Sequence, residues 1–267
     1  GSLDARTLMA NRKKRTTSAV APVKPAPNSR RWRRWLWFVL LSPILLSLLL
    51  VLVFRFVAPP ITGVMAQRIL EARSAGNADF RIDYQWCPLE SFGPYLPVAA
   101  IASEDQRFLD HHGFDTVEIR KALDAAEDGE RMRGASTISQ QVAKNLFLWT
   151  GRSWVRKGLE VYFTALLELV WPKRRLLETY LNIAETGDGM FGFCVACERR
   201  FGRPCSSLAP YQLALMVATL PDPRRRRADQ PTPYLHQRAS WIVRQMDQLG
   251  GPYLLQQLEG KAEPAGP

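Results

Sequence analysis

From Trp35 to Phe54 the chain runs twenty residues without a charge, WLWFVLLSPILLSLLLVLVF. At about 1.5 Å per residue a helix of that length spans about 30 Å, the hydrocarbon core of a bilayer. The run has no polar stripe, so it does not read as a helix lying against a soluble core. Pro43 is tolerable there, because neighbouring groups re-satisfy a freed carbonyl in a membrane helix. Trp35 and Trp37 stand at one edge, where amphipathic rings favour the interface.

Beyond this run, apolar positions recur at helical spacing. Leu96–Leu109, Ile138–Leu148, Val155–Trp171, Arg174–Ala184, Leu208–Leu220 and Tyr234–Leu249 all read as helices. Pro172 and Pro221 punctuate two ends, and Gly250-Gly251 closes the last. Thr137-x-x-Gln140 has the pattern of a capping box. Strand signals are thin, with the best alternation in F80-R-I-D-Y-Q-W86. The pattern predicts three regions: a tail over 1–34, an anchor over 35–57, and one mainly α domain over 58–267.

Charge changes the picture next. The 267 residues carry a net +11, which by itself suggests nucleic acid. Residues 1–34 hold ten Lys/Arg against one acid, while residues 58–267 hold 25 against 24. The body is nearly neutral, and a nucleic-acid binder needs a basic face on its folded domain, so that class drops out. The basic residues lie before the apolar run, in NRKKR and RRWRR. By the positive-inside rule the N-terminus is expected to be cytoplasmic and the body across the membrane, periplasmic if the cell is Gram-negative. A cleaved signal peptide is the competing reading, but its apolar region would be shorter and no A-x-A site follows. The four cysteines then face an oxidising compartment. Cys194-x-x-Cys197 with Cys205 nearby has no fourth metal ligand close in sequence, so small buried side chains or one disulfide are expected. Cys197 and Cys205 flank a short loop and are the pair expected to close.

Four stretches carry candidate chemistry. In A102-S-E-D-Q-R-F-L-D-H-H-G-F-D115, Glu104, Phe108 and His111 fall at i, i+4 and i+7, one face if the helix continues. A carboxylate beside an apolar ring near a helix end suits a general base; the alternative is a surface acidic pair, Glu104-Asp105. In G134-A-S-T-I-S-Q-Q-V-A-K-N-L-F-L148, Gln140, Gln141, Lys144 and Asn145 share a polar arc with no acid on it. Such an arc suits an anionic, hydroxyl-rich ligand such as a sugar phosphate, or is an ordinary solvated face. In R152-S-W-V-R-K-G-L-E160, Arg156 and Lys157 are placed for helical salt bridges to Glu160. Yet Arg152, Arg156, Lys157 and Lys144 are more cations than one Glu needs, and they suit a diphosphate. In K173-R-R-L-L-E-T-Y-L-N-I-A-E-T-G-D-G-M-F-G-F193, Glu178 and Glu185 are candidate surface acids. Gly187, Gly189 and Gly192 mark a turn approached closely by other groups. There is no Gly-rich phosphate loop and no S-x-x-K, so a penicillin-binding active site is absent.

Taken together and in order, E-D-x-x-F-x-x-H-x-G, G-x-S-T-I-x-Q-Q-x-x-K-N, R-K-x-x-E and Y-L-N resemble the glycosyltransferase family 51 domain of peptidoglycan polymerases. The resemblance covers roughly residues 60–255. It implies a lysozyme-like fold with a helical main lobe and a small membrane-facing jaw at about 114–134, where Ile119, Leu123 and Met132 would meet lipid. Thr186, Cys194, Cys197, Cys205 and R224-R-R-R227 depart from the family pattern.

The resemblance also implies an activity: polymerisation of lipid II, a disaccharide-pentapeptide on undecaprenyl diphosphate, into β-1,4 glycan with inversion. Glu104 would be the base and Glu160 the second carboxylate. Lys144, Arg152, Arg156 and Lys157 would stabilise the leaving diphosphate. Asp105, Ser136, Thr137, Gln140, Gln141, Asn182 and Arg238 would position sugars or shape the cleft. No tightly bound cofactor is implied, though a divalent cation, Mg or Mn, is a candidate at the diphosphate. Expected partners are lipid II, the growing glycan, the membrane, and cell-division or cell-wall synthesis proteins. The rival readings are a lysozyme-like glycan-cleaving enzyme, which calls for an acid carboxyl rather than a cluster of cations, and a membrane-anchored binding scaffold.

Overall fold

The computed structural model describes residues 29–127 and 136–258. Most of the basic tail, and Met132 of the expected jaw, lie outside the described residues. Among the described residues eleven α-helices follow in order, beginning with α1 (Ser29–Phe56), α2 (Gly63–Ser74), α3 (Tyr95–Glu104), α4 (Thr116–Glu127), α5 (Ile138–Phe147) and α6 (Trp154–Val170). Then come α7 (Lys173–Ile183), α8 (Phe193–Phe201), α9 (Pro210–Ala218), α10 (Pro233–Gln248) and α11 (Leu254–Leu258). Strands β1 (Asp83–Tyr84), β2 (Glu185–Gly187) and β3 (Met190–Phe191) form one small sheet in the order β1-β3-β2. β1 runs parallel to β3 and β2 antiparallel to it.

The apolar run is helical throughout, with Pro43 inside α1. Its stretch Trp37–Phe56 has mean hydropathy 2.7, is long and apolar enough to cross a membrane, and is mostly exposed. The chain divides into two compact units, Gly1–Leu46 and Ser47–Pro267. Within the second, the last turns of α1 are tied down by polar side chains. The Trp171 indole donates to the Val51 carbonyl at 2.7 Å, and Arg175 donates to the carbonyls of Phe54 and Val57, each at 2.8 Å. Those last carbonyls lack helical partners, and a guanidinium satisfies both their hydrogen bonding and their partial charge.

The core is built on helix segments buried on all sides. In α3 every residue from Leu96 to Ala102 is buried, as are Thr179–Ile183 of α7 and Leu213–Ala218 of α9. The amphipathic helices α5 and α10 pack around them with one face inward. By contrast α4, at the place of the expected jaw, buries none of its residues; Val117 and Leu123 are exposed. α6 also presents apolar side chains outward: Trp154 is 92% exposed and Leu169 83%.

Three expectations need correction. The helix expected over Leu96–Leu109 stops at Glu104, because Asp105 turns out of helical geometry (φ −162°, ψ 74°). Glu104, Phe108 and His111 therefore do not share a helical face. Helices α2, α4, α8 and α11 are additions that apolar periodicity did not mark; α2 buries only Val64, Met65 and Arg68. The cysteines form two disulfides rather than one. Cys197–Cys205 is the expected pair, and Cys87–Cys194 ties the segment after β1 to the start of α8 across 107 positions.

Candidate active site

The site grows from the start of α5. Thr137 caps the helix: its hydroxyl accepts from the Gln140 amide at 3.2 Å, and the Gln140 side-chain oxygen accepts from the Thr137 amide at 3.0 Å. The Thr137 hydroxyl donates to the Gly113 carbonyl at 2.7 Å. Asp105 adds a carboxylate at the same end, accepting from the Ile138 amide at 3.0 Å and pairing with His111 Nε2 at 2.8 Å. A negative group at a helix N-terminus satisfies both its free amides and its dipole. Asp105, Thr137 and Gln140 are all buried and spend these groups on the frame. The pattern that marks a polar arc at Gln140 thus resolves into a cap.

Glu104, the last residue of α3, stands beside this frame, half-buried. Neutral donors hold both its oxygens. The Ser103 hydroxyl donates to Oε1 at 3.1 Å and Gln141 Nε2 to Oε2 at 3.0 Å. Arg238 of α10 braces the pair from behind, donating to the Ser103 carbonyl and hydroxyl, each at 3.3 Å, while its guanidinium lies 4.2 Å over the Trp241 ring.

A cavity of about 390 Å³ is walled in part by Gln141, the residue that holds Glu104. α5 supplies Gln141, Lys144 and Asn145, α7 supplies Tyr180, and the loop after α9 supplies Asp222 and Arg224. Burial pushes the Lys144 ammonium below the ordinary lysine value of 10.5; the Glu160 charge opposes this, Arg156 adds to it, Glu104 opposes it and Lys157 adds to it. Lys144 is thus placed in the fields of both carboxylates. The phenol of Tyr180 is pushed well above its usual value by burial and by the charges of Glu104 and Asp105.

Glu160 differs from Glu104. It is buried in α6, with Arg156 on one oxygen and Lys157 on the other. Arg156 is further fixed by donating from Nε to the Gly151 carbonyl at 2.8 Å. Arg152 is exposed just before α6 and makes no ion pair among the described residues. Ser136 is exposed. Asn182 is wholly buried away from the cavity lining. Its amide brackets Cys87, accepting from that residue's N–H and donating to its carbonyl, both at 2.8 Å.

A divalent ion needs free oxygens, and those of Glu160 are both taken by cations. Among the described residues the one group with ligand spacing is Asp105, His111 and Asp115. Its carboxylates are already bonded: Asp105 as above, Asp115 to Arg107 and to the Val117 and Glu118 amides. These residues as placed do not fit a metal beside the cations around Glu160.

Several site features escaped sequence reasoning. Glu178 and Glu185 are not surface acids. Glu178 accepts from the Leu89 amide at 3.2 Å and pairs with Arg175, and Glu185 holds both Arg68 and Arg224. Tyr180 was legible only as part of Y-L-N. The close turn was legible: Gly192 has φ +82°, and a Cβ there would sit 2.5 Å from the Asn182 carbonyl. Thr186, the departure beside that turn, is buried with its hydroxyl 3.3 Å from the Met190 carbonyl.

The sequence profile described as Transglycosylase matches residues 73–247. The chain belongs to the transglycosylase family. Among similar proteins, this transglycosylase is 51% identical over 236 residues to a biosynthetic peptidoglycan transglycosylase of Xanthomonas campestris pv. campestris, covering 87% of this chain and 96% of that one. It is 52% identical over 225 residues to the protein of that name from Xylella fastidiosa, covering 82% and 93%. The mainly α architecture is the lysozyme-like fold of the family. The transglycosylase also carries one N-terminal helix able to cross a membrane, which fits a membrane-anchored enzyme of cell-wall synthesis.

Proposed function

We propose that this glycosyltransferase polymerises lipid II into β-1,4 glycan in a single inverting displacement, with Glu104 as base. The observation that carries the reading is that Gln141, which holds Glu104, lines one cavity together with the ammonium of Lys144. Glu104 takes the proton of the acceptor sugar's 4-hydroxyl. The freed oxygen bonds to the anomeric carbon of the growing chain as the bond from that carbon to the diphosphate oxygen breaks. The leaving diphosphate needs positive charge rather than a proton, and Lys144, Arg152, Arg156 and Lys157 supply it. Glu160 holds Arg156 and Lys157 in place. Asp105, Thr137, Gln140, Asn182 and Arg238 act by fixing the frame; Ser136 and Gln141 stand where sugars pass. No step runs through a divalent ion.

Glycan cleavage would need a second carboxyl able to give a proton to a sugar alkoxide. Both oxygens of Glu160 are engaged by cations, which argues for transfer. For orientation, the reading places the N-terminus in the cytoplasm and the domain outside. Two disulfides on the domain and the basic residues before the apolar run support it.

The test is incubation of purified protein with lipid II in detergent, with glycan products sized before and after digestion by a muramidase. Long digestible strands are expected. New reducing ends released from finished peptidoglycan would overturn the reading.

A further inference from the structure

Tyr180 of α7 lines the cavity together with Gln141 and Lys144, yet no part of the reaction described above engages it. It is only 1% exposed, in a stretch of α7 buried from Thr179 to Ile183. A buried phenol usually finds a hydrogen-bond partner, because its O–H is costly to leave unpaired. The Tyr180 hydroxyl makes no hydrogen bond among the described residues. Nor is it sealed. The side-chain atoms there that are both unpaired and closed off from solvent are His111 Nδ1, Thr179 Oγ1 and Arg226 Nη1, so the little exposure Tyr180 keeps includes its oxygen. With the residue in the cavity wall, that oxygen opens on the cavity.

Burial, and after it the charges of Glu104 and Asp105, push the phenol well above its usual value, so it stays an O–H donor. The same two charges set what it can hold. In a negative field beside the base a phosphate oxygen is disfavoured, and an uncharged sugar oxygen is not. We infer that the Tyr180 hydroxyl donates a hydrogen bond to an uncharged oxygen of the acceptor sugar, holding that sugar with its 4-hydroxyl toward Glu104. The inference rests on the polymerase reading above. Forming this bond breaks no contact within the protein, so its whole strength goes to the complex.

The test is steady-state kinetics of the full-length protein with lipid II in detergent. Tyr180→Phe removes the oxygen and keeps the ring, so α7 stays packed. Its kcat/KM should fall about threefold to tenfold, as the loss of one neutral hydrogen bond allows. Its melting temperature should hold or rise, since no bond within the protein is lost. Binding of a phosphoglycolipid that mimics the growing chain should stay within about twofold of wild type, because that ligand leaves the acceptor's place free. Thr179→Val removes an equally unpaired hydroxyl that is sealed from solvent, one position earlier, and should leave kcat/KM unchanged. Wild-type kcat/KM in Tyr180→Phe overturns the inference. So does a fall matched by an equal loss of phosphoglycolipid binding, which puts the contact on the growing chain. A fall that comes with a lowered melting temperature, or that Thr179→Val shares, overturns it as well, because packing then explains the loss. Wild type that builds no glycan from lipid II overturns the polymerase reading itself, a result distinct from a variant that keeps its full rate.

Discussion

The two carboxylates of this transglycosylase sit in opposite electrostatic settings. At the end of α3, Glu104 is held by a hydroxyl and an amide, both neutral. In the second turn of α6, Glu160 is buried with a guanidinium and an ammonium, one on each oxygen. Neutral donors orient a carboxylate without cancelling its charge. Two cations cancel the charge of Glu160 and leave one positive charge over. The same residue type is thus set up as a base in one place and as an anchor for cations in the other, and Lys144 feels both.

The sharpest way to break this contrast is Glu104→Gln. The amide keeps the shape and the place beside Gln141 but cannot take a proton, so turnover should fall about 100-fold to 10,000-fold with the fold intact. Near-normal polymerisation would mean the base lies elsewhere. Lys144→Ala should cut turnover by on the order of tenfold to a thousandfold, the loss of one transition-state charge contact. Binding of a phosphoglycolipid that mimics the growing chain should weaken with it, read by displacement of a fluorescent analogue.

Glu160→Gln should cost less than either, about tenfold in kcat, because the cations stay but lose their fixed places. A loss as deep as that of Glu104→Gln would make the two carboxylates equals and end the contrast. A pH series sharpens it from another side. The Lys144 ammonium is held below 10.5 in the fold, mainly by burial, so it is lost at lower pH there than in the unfolded chain. The alkaline limb of kcat should therefore begin below that value. Across the same window the unfolded chain binds more protons, so the Lys144 contribution to stability should rise with pH while activity falls. Lys144→Arg, whose charge does not titrate, should remove both trends; melting temperatures and initial rates on one pH series read them. The smallest effect is expected from Ser103→Ala, about threefold in kcat, the loss of one neutral hydrogen bond to a base still held by Gln141.

Much of the helical frame was legible, because α5, α6 and α10 each bury one face at helical spacing, and α6 and α10 stop before Pro172 and Gly250. The break after Glu104 was not. Asp105 leaves the helix for partners six and 33 positions away, His111 and the Ile138 amide, and apolar spacing carries no trace of that. The same limit hid the split of the polar arc on α5. Gln140 and Gln141 are adjacent and chemically identical, yet one closes a cap and the other reaches the base. Cys197–Cys205 was legible because the pair is local, eight positions apart; Cys87–Cys194 spans the fold and was not. Arg224 could be seen as unusual in the sequence, but not as a cavity wall.

The brace from Arg238 ties activity to the completion of synthesis. Glu104 is made early, and the side chain that steadies its neighbour Ser103 arrives 135 positions later, on the last long helix. A nascent or truncated chain that stops before α10 has its base, its cations and its capped α5 encoded in full, yet nothing behind Ser103. Such fragments also lack the helix that packs on α3 and α9, and should remain inert even if they reach the membrane. A cell that interrupts translation of this protein is thereby spared a half-built polymerase drawing on a costly lipid precursor.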